Sequence, residues 1–172
     1  FLTTMAARLV STNSEFLTAS ALPVGTAQAF NVTNYFAISG GLGVTTTEAN
    51  ASVYPRFTFT AKELGAYVSA NTIATSDTVI TLRDNLGNSA VTVSYAAAQT
   101  GLKNDSSNTV EISTGADEIS YQIVTPNTSG SITLRWLSVI GTTAAAGAAF
   151  DLDRRERVFG RGMGRGFARR MG

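Results

Sequence analysis

The chain has 172 residues, 44% of them apolar and 15% charged, which bounds it to one folded domain with a sizeable core and excludes a disordered chain. It contains neither cysteine nor histidine, so disulfides, thiolate chemistry, the usual zinc sites and nucleophiles activated by imidazole are excluded. The net charge of +1 is unevenly divided: residues 1–150 hold six basic against nine acidic side chains, and residues 151–172 hold seven arginines against Asp151, Asp153 and Glu156.

Residues 1–27 read as an N-terminal arm, punctuated by the turn formers Ser11-Thr12-Asn13-Ser14 and Pro23-Val24-Gly25, with a short helix over Met5–Val10. Such an arm either clasps a neighbouring subunit or lies across its own domain. From Ala27 the apolar period becomes two: Phe30, Val32, Phe36 and Ile38 alternate with Asn31, Thr33 and Ala37, as in a half-buried strand. Gly40-Gly41-Leu42-Gly43 closes it, and residues 45–50 form a polar loop. A strand is expected over Ala51–Thr60, with Pro55 marking its start or a sheet edge. Further strands are expected over Leu64–Ala70, Thr78–Arg83, Ala90–Tyr95, Thr109–Ser113 and Glu118–Val124. Asp84-Asn85-Leu86-Gly87-Asn88 is a tight hairpin loop whose glycine can take positive φ. Residues 96–107 read as a loop, and Pro126–Gly130 as a turn into the last strand, Gly130–Ile140, which holds the only tryptophan.

About eight short strands without a helix among them predict an all-β, two-sheet antiparallel sandwich over residues 28–140. Eight strands suit a jelly roll, while a Greek-key sandwich of another topology fits the pattern almost as well. In the last strand Ile132, Leu134 and Trp136 are expected on the core face, with Leu137 and Val139 on the other. A strand apolar on both faces predicts burial on both sides, so Trp136, Leu137 and Val139 are read as core or interface residues. Residues 141–172 form a small-residue linker and an Arg/Gly-rich C-terminal arm.

No catalytic set emerges. Asp84-Asn85, Asn104-Asp105 and Asp117-Glu118 lack the ligand spacing of a calcium loop and read as turn residues bonding their own backbone. No acidic pair is selected for glycoside chemistry. With only Lys62 and Lys103 as lysines, an activated Ser or Thr hydroxyl has no base, and Gly40, Gly41 and Gly43 lack the lysine and helix of a phosphate loop. No enzyme, cofactor or metal is expected. Asn31, Asn50, Asn104 and Asn127 begin N-x-Ser/Thr triplets, which matter only in a secretory setting. No membrane-spanning run is expected, and no signal peptide is visible.

The tail is the outstanding charged feature. Phe150, Arg154, Arg155, Arg157, Arg161, Arg165, Phe167, Arg169 and Arg170 are expected to attach the protein: first to carboxylates of adjacent subunits, second to nucleic acid, with a free, solvated tail as the last reading. Trp136, Tyr67, Tyr95 and Tyr121 could stack on sugar rings if they stood on an exposed sheet face. Their place in the alternating pattern favours core and interface roles instead.

Residues 34–140 also resemble a small single-jelly-roll domain that recurs in virion-associated proteins of tailed phages. The likeness is carried by Gly40-Gly41 with Thr47-Glu48, by Leu64 with Tyr67-Val68-Ser69-Ala70-Asn71, and by Thr78-Val79-Ile80-Thr81-Leu82-Arg83-Asp84-Asn85. Ala90-Val91-Thr92-Val93, Thr100-Gly101-Leu102, Gly130-Ser131-Ile132-Thr133-Leu134 and Ser138-Val139 complete it. The family pattern has a Gly-Asp step where this chain has Gly115-Ala116-Asp117. The resemblance implies a structural virion protein: a capsid decoration, minor capsid or head-fibre subunit, homo-oligomeric and by preference trimeric, bound to other capsid subunits. An extracellular carbohydrate-binding module or filament subunit is the alternative, and a virion protein whose tail binds packaged nucleic acid is a third reading.

Overall fold

The computed structural model describes residues 14–38 and 44–143, with the side chains of Ser14 and residues 20–26 left aside. These residues lie within one compact unit, Thr12–Ala145. The strands are β1 (Ser14–Ala29), β2 (Thr33–Phe36), β3 (Phe59–Asn71), β4 (Thr78–Asp84), β5 (Gly87–Tyr95), β6 (Gly101–Ile112), β7 (Ile119–Val124) and β8 (Ser131–Thr143). They form two four-stranded sheets in the orders β1-β8-β3-β6 and β2-β7-β4-β5, with every pairing antiparallel. This is the jelly-roll order, in which the first strand of the chain pairs with the last and the nested pairs wrap inward.

The core lies between the sheets. Phe59, Ala61, Leu64, Ala66 and Val68 of β3 and Ile132, Leu134, Leu137 and Val139 of β8 pack against Phe36, Ile80, Leu82, Val91, Val93, Tyr95, Tyr121 and Ile123 of the opposite sheet. Tyr95 is wholly buried, and its hydroxyl donates to the Ala66 carbonyl at 2.6 Å. Burial pushes its phenol up to about 12.

Several expected boundaries move. Residues 14–27, read as part of an arm, belong to β1, which pairs with β8 from Ser14↔Thr143 to Ala29↔Ser131. The single strand expected across Ala27–Ile38 is broken by a turn in which Asn31 adopts φ 54°, so β1 and β2 fall in different sheets. The polar loop expected over 45–50 contains a short 3-10 turn at Glu48–Asn50, and the strand expected over Ala51–Thr60 is reduced to a lone bridge, Val53↔Ile119, before β3 starts at Phe59. Phe59 begins a long β3 that absorbs the next expected strand. In the β4–β5 hairpin the left-handed positions are Asn85 and Leu86, at φ 50° and 62°, rather than Gly87. Gly130 does need its missing side chain: at φ +99° a Cβ would stand 2.0 Å from the Thr72 carbonyl oxygen.

Half of the loop expected over residues 96–107 is strand β6. Its polar residues hide the strand because they serve as bonding groups. The Asp105 carboxylate accepts from the backbone nitrogens of Thr92 (2.9 Å), Ser107 (3.0 Å) and Asn108 (3.1 Å), clasping β6 to β5. Burial alone would raise this carboxyl; the Asn108 side chain and the three backbone donors outweigh it and lower it.

Candidate functional site

The sheets differ in how their outer faces are finished. On β7 and β4 the outward Ser120, Gln122, Thr81 and Arg83 are buried, because the segment around the 3-10 turn lies over them. It is held by the Tyr35↔Thr45 and Val53↔Ile119 bridges and by an ion pair from Arg83 to Glu48 at 2.8 Å. Among the described residues nothing covers the middle of the outer face of β1-β8-β3-β6 in that way: Tyr67 is 38% and Leu102 62% exposed there.

That bare face is irregular at one place. Tyr67 pairs with Trp136, but Val68 pairs with Leu134 and Ala70 with Thr133. Arg135 is therefore an extra residue on β8 and Ser69 an extra residue on β3, one step apart. On its other side β8 meets a second break, since Ala21↔Trp136 is followed by Thr26↔Leu134. A bulge re-aims side chains and reverses the in–out alternation beyond it. Ile132 and Leu134 face the core on one side of the break, and Leu137 and Val139 face the same core on the other. The expectation that Leu137 and Val139 stand on the opposite face to Ile132 and Leu134 is thus overturned, and so is the core placement of Trp136. Trp136 lies outward, half-buried, and the strand is not apolar on both faces.

The bulges gather Tyr67, Ser69, Arg135 and Trp136 around a shallow pocket of about 330 Å³. The Tyr67 and Trp136 rings lie 6.4 Å apart with planes 15° from parallel. Gly65 makes this arrangement fit, because a Cβ there would come 3.2 Å from the Trp136 ring and 2.8 Å from Ser138 Oγ. Leu102 lies opposite Tyr67 on β6 and extends the row.

Of the four aromatics that could have met a sugar, Tyr67 and Trp136 stand on the open face, whereas Tyr95 and Tyr121 are buried in the core. Leu137 and Val139 are core residues. Phe150, Arg154, Arg155, Arg157, Arg161, Arg165, Phe167, Arg169 and Arg170 lie outside the described residues. Arg135 and Ser69 escaped the sequence reading, although a signal was there: the apolar positions 132, 134, 137 and 139 slip parity once, between 134 and 137.

The turn acids are engaged locally. Asp117 accepts the Ser113 backbone N–H at 2.6 Å, and Glu118 accepts the Tyr54 hydroxyl. Asp84 is raised first by burial and then by its neighbour Asp117. Among the described residues no three potential metal-ligating side chains come together, and no helix is long and apolar enough to cross a membrane. No known protein family, curated protein or solved structure matches the chain.

Proposed function

We propose that this protein is a structural virion subunit, of the capsid decoration, minor capsid or head-fibre kind, working as a homo-oligomer, preferably a trimer, held by apolar burial and by its terminal segments. The observation that carries this reading is the pairing Ser14↔Thr143: the chain comes into the sandwich and leaves it at neighbouring points. Close by, Leu17 of edge strand β1 is 64% exposed and Phe57, stacked edge-on against Phe16 at 5.3 Å, is 49% exposed. Large apolar groups left exposed on either side of this edge strand favour association with another surface. The jelly-roll order supports the same assignment, being the fold that the resemblance of residues 34–140 to virion-associated domains implies. In this mechanism the apolar edge seats the subunit, and the arginines of residues 151–172 bond carboxylates of neighbouring chains.

Removal of residues 151–172 should leave thermal unfolding of the sandwich unchanged while cutting incorporation into particles at least tenfold. Full occupancy by the truncated chain would refute the tail-anchor mechanism, and a monomeric native mass for the intact chain would refute the assembly reading itself.

A further inference from the structure

We propose that the Tyr67–Trp136 pocket binds an acidic sugar residue of a glycan, the two aromatic rings packing against the pyranose and Arg135 pairing with its carboxylate or sulfate. The proposal is independent of whether the subunit belongs to a virion. The C–H groups on one face of a pyranose carry partial positive charge and pack against the electron-rich face of an aromatic ring. Here the two rings are nearly parallel, and the absence of a Cβ at Gly65 lets Trp136 sit close over β3. An aromatic pair already arranged in the free protein lowers the ordering cost of binding. A pocket of about 330 Å³ suits one or two sugar rings, at the small end of ligand sites.

Charge selects the class of sugar. Arg135 is exposed and has no carboxylate partner among the described residues, and its guanidinium fork matches a carboxylate or sulfate. The two lysines of the same sheet are already used. Lys62 pairs with Glu15 at 2.6 Å, and Lys103 turns its ammonium to the Ser94 carbonyl at 2.6 Å. A nucleic-acid strand would need a basic track along its phosphates, whereas the described residues hold five basic against nine acidic side chains. One isolated cation beside two rings fits one anionic group on one ring. The paired bulges explain why Arg135, Trp136 and Ser69 meet: each bulge turns a residue that would otherwise continue the ladder into a lining group.

Trp136 is the only tryptophan, so the emission of the full-length protein reports this pocket directly. The expected result is a saturable change in tryptophan emission on titration with at least one of a galacturonate trisaccharide, a sialyl-lactose or a sulfated disaccharide. The matching neutral saccharide should bind about tenfold more weakly, the scale of one lost charge-assisted contact. Arg135→Gln should remove the preference for the acidic sugar with an unchanged melting temperature, and Tyr67→Ala should weaken both sugars. The proposal is overturned by no saturable change with any acidic saccharide, by equal affinity for acidic and neutral forms, or by tighter binding of oligothymidylate. It is overturned equally if emission follows protein concentration with no ligand present, which would make this face a contact between copies.

Discussion

Replacing Arg83 with methionine should destabilise the sandwich by about 3 kcal/mol, a fall in melting temperature of about 10 °C. Its guanidinium grips Glu48 with two bonds, Nε to Oε1 at 2.8 Å and Nη2 to Oε2 at 2.9 Å. It also donates to Asn88 Oδ1 and the Leu86 carbonyl, and lies 6.0 Å from the centre of the Tyr35 ring. Both charged side chains are nearly buried, at 11% and 12% exposure, so methionine would leave the Glu48 carboxylate with the Ser120 hydroxyl at 3.3 Å and little water. Stranding a buried charge costs far more than losing an exposed ion pair, which contributes about 0–1 kcal/mol. Arg83→Lys should recover only part of the loss, because an ammonium cannot make the two-pronged bond. Denaturant unfolding of the three proteins measures this directly, and a loss under 1 kcal/mol for the methionine variant would mean that solvent screens the pair.

The same residues explain why one face of the molecule is available and the other is not. Glu48 sits on the 3-10 turn, Arg83 on β4 and Ser120 on β7, so the network fastens a loop across the outer face of that sheet. The corresponding residues on the other sheet are Tyr67, Ser69, Arg135 and Trp136, and among the described residues no loop is fastened there. Little that is local distinguishes the two faces in sequence, because the Glu48–Arg83 and Glu48–Ser120 contacts that fasten the cover join residues more than thirty positions apart.

β4, β5, β7 and most of β8 alternate cleanly, since one side of each is core. β1 was hidden because its stretch of Thr, Ala and Ser carries few large apolar side chains, and because Pro23 and Gly25 mimic a loop. β6 was hidden for a different reason: its Lys103, Asp105 and Asn108 satisfy each other's and β5's polar groups, so the strand needs no apolar alternation. The turn at Asn31 merged with the strands beside it because Phe30 and Val32 prolong the alternation on either side. The jelly roll could be inferred from strand number, but its order rests on long-range pairings such as Ser14↔Thr143. The candidate site is legible only through a defect in the period of β8, and a defect shows where regularity stops without showing what it builds.

Deleting Arg135 alone, or Ser69 alone, should cost about 2–3 kcal/mol, the scale of exposing one large apolar side chain, whereas deleting both should cost less than either. The reason lies in the count along the ladder. From Tyr67↔Trp136 to Ala70↔Thr133 both strands advance by three residues, so the extra residue on β3 cancels the extra residue on β8. Removing Arg135 alone displaces the start of β8, with Ile132, against β3 and β1, and removing Ser69 alone displaces the end of β3, with Ala70 and Asn71, against β8. The shift against β1 that remains in the double deletion falls at the existing break between Ala21 and Thr26. Removing both leaves two steps on each strand, the alternation of a regular ladder: Tyr67 out, Val68 in, Ala70 out, and Trp136 out, Leu134 in, Thr133 out. The burial pattern already has that form once the two residues are struck, since Val68 and Leu134 are buried and Ala70 is exposed. Interaction energies of this sign arise only between sites that share a constraint; if the double deletion instead lost the sum of the two single losses, the bulges would be independent. The double deletion also separates fold from site. It should keep the sandwich, Tyr67 and Trp136, yet lose the acidic-saccharide change in emission, because the residues that break the ladder are the ones that supply the pocket with its charge and its hydroxyl.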